Sequence, residues 1–422
     1  MSSSDTLPNR TRIPLLRFPQ LVRNEVFAFW DIFEIYEFSL LSKVTKSISK
    51  NMKKRNTSMS LEPFGEDHQV TLSSKDEDGG TLYQFSKCPS IEPSDQLLNE
   101  SYDYHPISTE NSVKTFGSLV EHIQDVFAPE TNHVIFDNSS YRQVGEEELK
   151  SYLNWFNNNK KLGKIQNLYV DIKVPGFKVF LENWRVDVGM MDARFNESEV
   201  CTVDFKVDRL VVSDRAKWLD FNVLRRFDCC EIATENTFSN QDMHLLLKDW
   251  KEGKSNRRAR LLWLGMGERA KWKKILEGLD AALRDLRTVR RSFRFNNNKE
   301  LWDFHGGFDI TRIDGKVATV GYCYFQVTDE DDPIEPYMLE EYDRISRVWN
   351  SVDNDEEEEI EDVIVVPEGV LNEYNTEQGY IESQKRQRKE GRRDFIMIVW
   401  NRDTFELLHY TLIINLMILD NF

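Results

Sequence analysis

The chain has 422 residues, 40% of them hydrophobic and 12% aromatic, with a formal net charge of −17 at pH 7. That apolar content excludes a wholly disordered polymer, and the length suggests two or three structural units. The negative balance argues against general affinity for nucleic acid, whose phosphates such a surface would repel.

Cysteines stand at 88, 201, 229, 230 and 323, an odd number without Cys-x-x-Cys spacing. Neither a disulfide framework nor a zinc knuckle is supported, so we expect a reducing compartment and no metal or other cofactor. Residues 1–11 contain no apolar run, so no secretory leader is expected and this N-terminus reads as disordered.

The first patterned stretch, residues 12–58, opens RIPLLRFPQLVRNEVFAFWDIFEIYEFSLLSKVTKSIS. Pro19 suits a first helical turn, where its missing N–H costs nothing. Leu21, Val22, Val26 and Phe29 then recur at helical spacing. After a break at Trp30 to Phe33, Ile35, Phe38, Leu41 and Val44 begin a second stripe, and Ile48 with Met52 continues into a third helix. A unit below about 40 residues is marginal unless it docks on something. Residues 59–112 alternate in HQVTLSS and GTLYQFSKC between turn clusters, reading as a β-rich connector.

The main α/β pattern spans 113–327 and contains an internal repeat. Leu149, Tyr152, Leu153 and Phe156 form an i, i+3, i+4, i+7 apolar face, and Met243, Leu246, Leu247 and Trp250 form the same face 94 residues later. HVIFDN precedes the first and FDCCEIAT the second; IQNLYVDI and ARLLWLG follow them. Strand, helix, strand with short connections predicts two parallel βαβ units. With the further strands CTVDFKV and RLVVSD, the region reads as repeat-like, leucine-rich-repeat-like strand–helix units, though the period is irregular. Cys229 and Cys230 are expected on opposite sides of a strand. Gly265-Met266-Gly267 lacks the rest of a phosphate loop and reads as a plain turn from strand to helix.

The seven histidines are scattered, with no His-x-x-x-His and no Gly-x-Ser-x-Gly, so no catalytic residues are assigned. Charge is more informative. Residues 254–294 hold thirteen Lys or Arg against four Asp or Glu, leaving about −26 on the rest of the chain. Arg284, Arg287, Arg291 and Arg294 are expected on one helical face, and Arg257, Arg258 and Arg260 on a turn before a strand. Such a face attracts anions. An acidic or phosphorylated protein substrate, the chain's own acidic stretch, or nucleic acid could meet it; the overall charge disfavours the last.

Residues 328–393 carry charge without periodicity. Glu356 to Glu359 and the basic KRQRKEGRR from Lys385 read as a disordered acidic and basic segment, or for the latter a nuclear-localisation string. At 394–422, Phe395 to Trp400 and Leu408 to Ile418 read as an apolar strand pair, since Tyr410 to Leu419 is too short to span a bilayer.

Phe18-Pro19, Glu25-Val26, Glu34-Ile35 and Leu41-Ser42-Lys43 resemble the F-box, in the form found in nematode F-box proteins, with a departure at Lys46-Ser47 where the broader family often has tryptophan. Residues 217–267 resemble the nematode type 2 F-box-associated domain, and GGFDITRIDGKVATV at 306–320 resembles its closing part. The resemblance implies a three-helix F-box followed by an α/β domain in a non-catalytic, substrate-recognition subunit of an SCF-type cullin–RING ubiquitin ligase, cytoplasmic or nuclear. It further implies that Phe18, Pro19, Val22, Val26, Ile35, Leu40 and Leu41 meet a Skp-type adaptor. The alternative is an interaction scaffold acting without ubiquitin, or a nucleic-acid-associated protein using the basic face.

Overall fold

The computed structural model describes residues 15–52, 57–64, 68–74, 81–86, 101–106, 113–137, 145–172, 176–194, 206–213, 216, 218–293, 301–329, 332–351 and 377–400. It is a mixed α/β structure in two compact units, residues 1–169 and 170–422.

The first unit opens with three short helices, α1 (Gln20–Ala28), α2 (Ile32–Leu40) and α3 (Lys43–Lys50). Their boundaries are set locally. Pro19 stands at the N-cap of α1. Asp31 accepts from Glu34 N at 2.7 Å while Glu34 accepts from Asp31 N at 3.0 Å, a reciprocal cap on α2. Ser42 and Thr45 do the same for α3.

Strands β1 (Thr57–Glu62), β2 (Gln69–Ser74), β3 (Thr81–Ser86) and β4 (Ser101–Pro106) follow, then α4 (Val113–Phe127), β5 (Glu130–Asp137), α5 (Glu146–Asn158) and β6 (Ile165–Asp171). The strand order is β6-β5-β1-β2-β3-β4. Because β1 pairs in parallel with β5 and antiparallel with β2, residues 59–112 do not form a separate connector; their strands extend the sheet of the α/β region. The predicted face of α5 is the buried one: Leu149, Tyr152, Leu153 and Phe156 are all enclosed. Tyr152 also bonds His68 at 2.5 Å and meets Phe64 and Phe116 edge-on.

The three helices find their support within this unit. Phe33 packs edge-on against Tyr83 and Phe85, with ring centroids 5.2 and 5.1 Å apart, and Tyr36 meets Phe85 and His122. Ser39 Oγ lies 2.7 Å from His122 Nε2. Lys46 and Lys50 reach Asp125 at 3.0 and 3.6 Å. Edge-to-face rings contribute about 0.5–1.5 kcal/mol each beyond the area they bury, enough to anchor helices too short to stand alone.

The second unit continues with α6 (Gly176–Asn183), β7 (Val188–Arg194), β8 (Val207–Ser213), α7 (Phe221–Arg226), β9 (Glu231–Phe238), α8 (Asn240–Lys251) and β10 (Leu261–Met266). Strands β7, β8, β9 and β10 lie side by side in chain order and all run parallel, as successive strand–helix units require. On α8, Met243, Leu246, Leu247 and Trp250 are fully buried. Cys229 and Cys230 fall just before β9 and not within it.

The regular run ends at β10. Next come α9 (Trp272–Ile275), β11 (Ala282–Arg284), β12 (Arg290–Phe293), β13 (Trp302–His305), β14 (Gly307–Thr311), β15 (Val317–Gly321), α10 (Cys323–Gln326), β16 (Val327–Asp329), α11 (Pro336–Asn350), α12 (Glu377–Gly391) and β17 (Asp394–Trp400). Here β17 pairs antiparallel with β10 and β15, and the order continues through β14 to β11. A small sheet, β12-β13-β16, brings Phe293 and Phe304 into one cluster with Leu261, Ile396 and Ile398.

The expectation of disorder over 328–393 needs correction at two places. Met338, Tyr342 and Ile345 repeat at i, i+4 and i+7 and form a buried stripe of α11, which the surrounding charge obscured. Its Glu341, almost wholly enclosed, accepts from Arg344 Nε and from Arg392 Nε, each at 3.0 Å. In α12, Arg388 pairs with Glu340, so part of the basic string is engaged internally. The acidic block at 353–362 and the second strand expected at 408–418 lie outside the described residues.

Candidate functional site

Two regions were singled out as sites, and the structure treats them differently. In the N-terminal helices, the side chains that dock on the first unit point one way and a large apolar set points away. Leu21 is 75% exposed, Phe29 87% and Leu41 74%, with Leu16, Phe18, Val22, Leu40 and Val44 also exposed. Of the large apolar side chains exposed among the described residues, all but Ile313 lie in this short stretch. Monomers rarely expose large contiguous apolar surface without a use for it.

Among the predicted adaptor residues, Phe18, Pro19, Val22, Leu40 and Leu41 lie on the exposed side and Val26 is half-buried. Ile35 is a correction. It is only 6% exposed, because the stripe on which it lies is the one that turns α2 inward. Leu21, Phe29 and Val44 are exposed members of the same set that were not assigned a site role, although helical spacing had already marked them.

The charges beneath the docked side are arranged around Asp125. The bond from Lys161 holds its carboxyl well below the usual range, with burial opposing and Lys46 adding to the lowering. Burial and the neighbouring Lys46 push His122 below its ordinary value, while Asp125 opposes. Ser39 Oγ already donates to Tyr36 O at 2.6 Å, so toward His122 it accepts, and Nε2 carries the hydrogen.

The basic stretch is not a helical face. Arg284 ends β11, Arg287 lies in a turn and Arg291 belongs to β12; Arg294 is outside the described residues. Their spacing imitates a helix, but turn bonds from Thr288 N and Val289 N to Asp285 O reverse the chain between them. Acidic partners also engage them. Arg284 Nε reaches Asp309 at 2.7 Å, Arg291 grips the same carboxylate with both terminal nitrogens, and Arg287 pairs with Asp343 at 2.6 Å. Arg290 pairs with Asp303, and Arg258 with Asp208. Burial would raise the Asp309 carboxyl, but bonds from Arg291, Thr319 and Arg284 bring it below its ordinary value. Arg260 is half-buried and faces Glu231, whose carboxyl burial pushes up to about 7 despite Arg209 and Arg260. Arg257 is exposed, as are Arg284 and Arg287.

Comparison with protein-family models, with characterised proteins and with solved structures yields no match. The side chains themselves must carry the interpretation.

Several have structural tasks. His68, His122, His244 and His305 bond Tyr152, Ser39, the Ile275 carbonyl and Thr328, and His133 stacks on Tyr169. Gly265 lies inside β10, where a Cβ would come within 2.9 Å of Asn236 O, at a shift in the β9–β10 register. Its glycine serves close strand approach and not a phosphate cradle. Among the described residues no group of three or more His, Cys, Asp or Glu could hold a metal ion, and no helix is long and apolar enough to cross a membrane.

Proposed function

We propose that this chain is the substrate-recruiting subunit of an SCF-type cullin–RING ubiquitin ligase. In this reading, the exposed side of α1, the α2–α3 junction and the start of α3 meets a Skp-type adaptor, and the α/β units carry the target. The observation that carries it is the concentration of exposed large apolar side chains between Leu16 and Val44, on helices whose opposite sides are anchored to their own unit. The residue pattern at Phe18-Pro19, Glu25-Val26 and Leu41-Ser42-Lys43 supports the choice of partner.

The chain itself would break no bond. Holding a target on a scaffold raises the effective concentration of its lysines beside the ubiquitin-charged enzyme, an advantage of proximity alone.

Co-precipitation with a Skp-type adaptor and a cullin tests the reading. Wild type is expected to retain both, and Leu21→Asp combined with Leu41→Asp to lose both with an unchanged melting temperature, since neither side chain supports the fold. Adaptor without cullin would favour a scaffold acting without ubiquitin. Retention of neither by wild type would defeat the proposal.

A further inference from the structure

Once the paired arginines are set aside, the basic stretch leaves a distinct surface at the C-terminal end of α8. Its centre is Ile313, 79% exposed at the tip of the β14–β15 hairpin and the one large exposed apolar side chain in the second unit among the described residues. This tip is held firmly. Ile313 N donates to Lys251 O at 2.9 Å, and Gly315 N to Arg312 O at 2.8 Å. Arg312, itself buried, binds both oxygens of Asp314 at 2.8 and 2.6 Å, donates to Arg257 O at 2.9 Å and lies over the Trp250 ring. An exposed isoleucine on a locked hairpin loses little freedom when it is covered, which is what an interface anchor needs.

The surroundings are cationic. Lys251, Lys254, Arg257, Arg312 and Lys316 cluster about the tip through these contacts or as sequence neighbours of them. Glu252, Asp280 and Asp314 offset three of the five charges, by pairing with Lys254, Lys251 and Arg312. A net surplus of two remains, in a chain whose total charge is −17. Beside the tip, sharing Lys254, lies an open depression of about 650 Å³ lined by Asp220, Arg225, Arg226, Asp249 and Ser255. Its two carboxylates are already used: Asp249 accepts from Arg225 Nε at 2.7 Å, and Asp220 caps α7 through Val223 N at 2.8 Å. Asp220 keeps its charge and balances Arg226, and Lys254 is paired with Glu252, so the depression is close to neutral and the positive surplus sits on Arg257 and Lys316 at the tip.

We infer that this surface docks an acidic polypeptide segment of a protein partner, with one large apolar side chain seated against Ile313 and carboxylates beside Arg257 and Lys316. The apolar anchor supplies affinity and the charges supply selection. This deepens the target-binding half of the proposed function by naming the class of target, and it places the contact away from Arg284, Arg287 and Arg291.

The test uses the intact chain and displayed random dodecapeptides as the probe. The selected pool should be rich in Asp and Glu with an accompanying Ile, Leu or Phe. Its binding should fall at least tenfold for Ile313→Asp and for Arg257→Glu, while Arg287→Gln, altering an arginine already paired with Asp343, should stay within twofold. Melting temperatures within a few degrees of wild type would show that the hairpin variants remain folded. A pool without acidic enrichment, or equal binding by Ile313→Asp, would overturn the inference. Adaptor co-precipitation run on the same variants separates the two ideas: Ile313→Asp leaves it intact, and the peptide result stands whether or not an adaptor binds.

Discussion

Arg291 embraces Asp309 in a planar fork, Nη1 on Oδ1 at 2.6 Å and Nη2 on Oδ2 at 2.7 Å. The carboxylate is almost wholly enclosed and also accepts from Thr319 Oγ1 at 2.7 Å and Arg284 Nε at 2.7 Å. Asp309 thus ties β11, β12, β14 and β15 together. Removing one member of such a set strands the others, which typically costs about 3–5 kcal/mol for a buried pair. Asp309→Ala is therefore expected to lower the urea midpoint by the equivalent of roughly 3 kcal/mol. Arg291→Lys should also destabilise, because an ammonium cannot reproduce the fork. Arg287→Ala, at a solvent-exposed pair, should be close to neutral. Equal midpoints for Asp309→Ala and Arg287→Ala would show that the network contributes nothing.

The two strand–helix–strand units make a matched prediction. Leu153 on α5 and Leu247 on α8 occupy corresponding places on faces that are completely buried. Leu→Ala at either should cost about 2–5 kcal/mol, transfer plus cavity, with the denaturant slope unchanged. A loss below 1 kcal/mol at both sites would mean that the helix faces are not the cores they look like.

Those faces were legible in the sequence because one helix turn carries its own period, whatever lies around it. The arginines show the converse. Arg284, Arg287 and Arg291 fit a helical period, yet β11 and β12 have three and four residues, too few to display an alternation that could compete. What separates them is long-range pairing of β11 with β14 and β12 with β13, which no local window contains. At the N-terminus the helices could be read but their orientation could not. Ile35 and Leu41 are equally apolar, and only the placement of Phe85 and His122 determines which side of α2 turns inward. For α11, the stripe at Met338, Tyr342 and Ile345 was present but was outweighed by the charge around it.

Gly265 offers a contrast with Gly145. At Gly265 a Cβ would meet backbone oxygens of Asn236 and Glu235 at 2.9 and 3.0 Å, whereas at Gly145 nothing lies within 4 Å. Gly265→Ala should destabilise by about 1–3 kcal/mol, the usual cost of overpacking. Gly145 has φ −69°, which alanine adopts without strain. Gly145→Ala should change stability by less than about 1 kcal/mol, since a compatible site gains from a stiffer unfolded chain. Differential scanning fluorimetry on the pair is sufficient, and the same melting temperature for both would contradict the close approach.

The junction between the N-terminal helices and α4 should respond to acid. His122 is held below its ordinary pKa mainly by burial, then by Lys46. Between that lowered value and the ordinary 6.5 the unfolded chain binds a proton that the folded chain does not. Stability from this group is therefore full above about 6.5 and declines as pH falls toward the folded value. Amide hydrogen exchange in α2 and α3 should accelerate on acidification, after correction for intrinsic rates, and His122→Gln should reduce that acceleration. An identical pH response in the variant would remove His122 as the cause.

Asp394 should act in the opposite direction. It begins β17, its Oδ2 accepts from Tyr324 N at 3.0 Å, and among the described residues Oδ1 is buried without a hydrogen-bond partner. Burial pushes its carboxyl up to about 8, even though the backbone bonds from Tyr324 and Cys323 favour the ionised form. Between the ordinary value near 4 and about 8, the folded chain retains a proton that the unfolded chain has lost. The unfolded state binds fewer protons in that window, so the contribution is complete below about 4 and is lost as pH rises through the folded value. Asparagine keeps an oxygen for Tyr324 N and cannot ionise. Asp394→Asn should therefore match wild type near pH 4 and exceed its melting temperature at pH 9, with a flatter slope between. Parallel pH profiles for the two proteins would mean that Asp394 is ionised in the fold throughout, and that β17 begins on a charge stabilised by the Tyr324 and Cys323 amides.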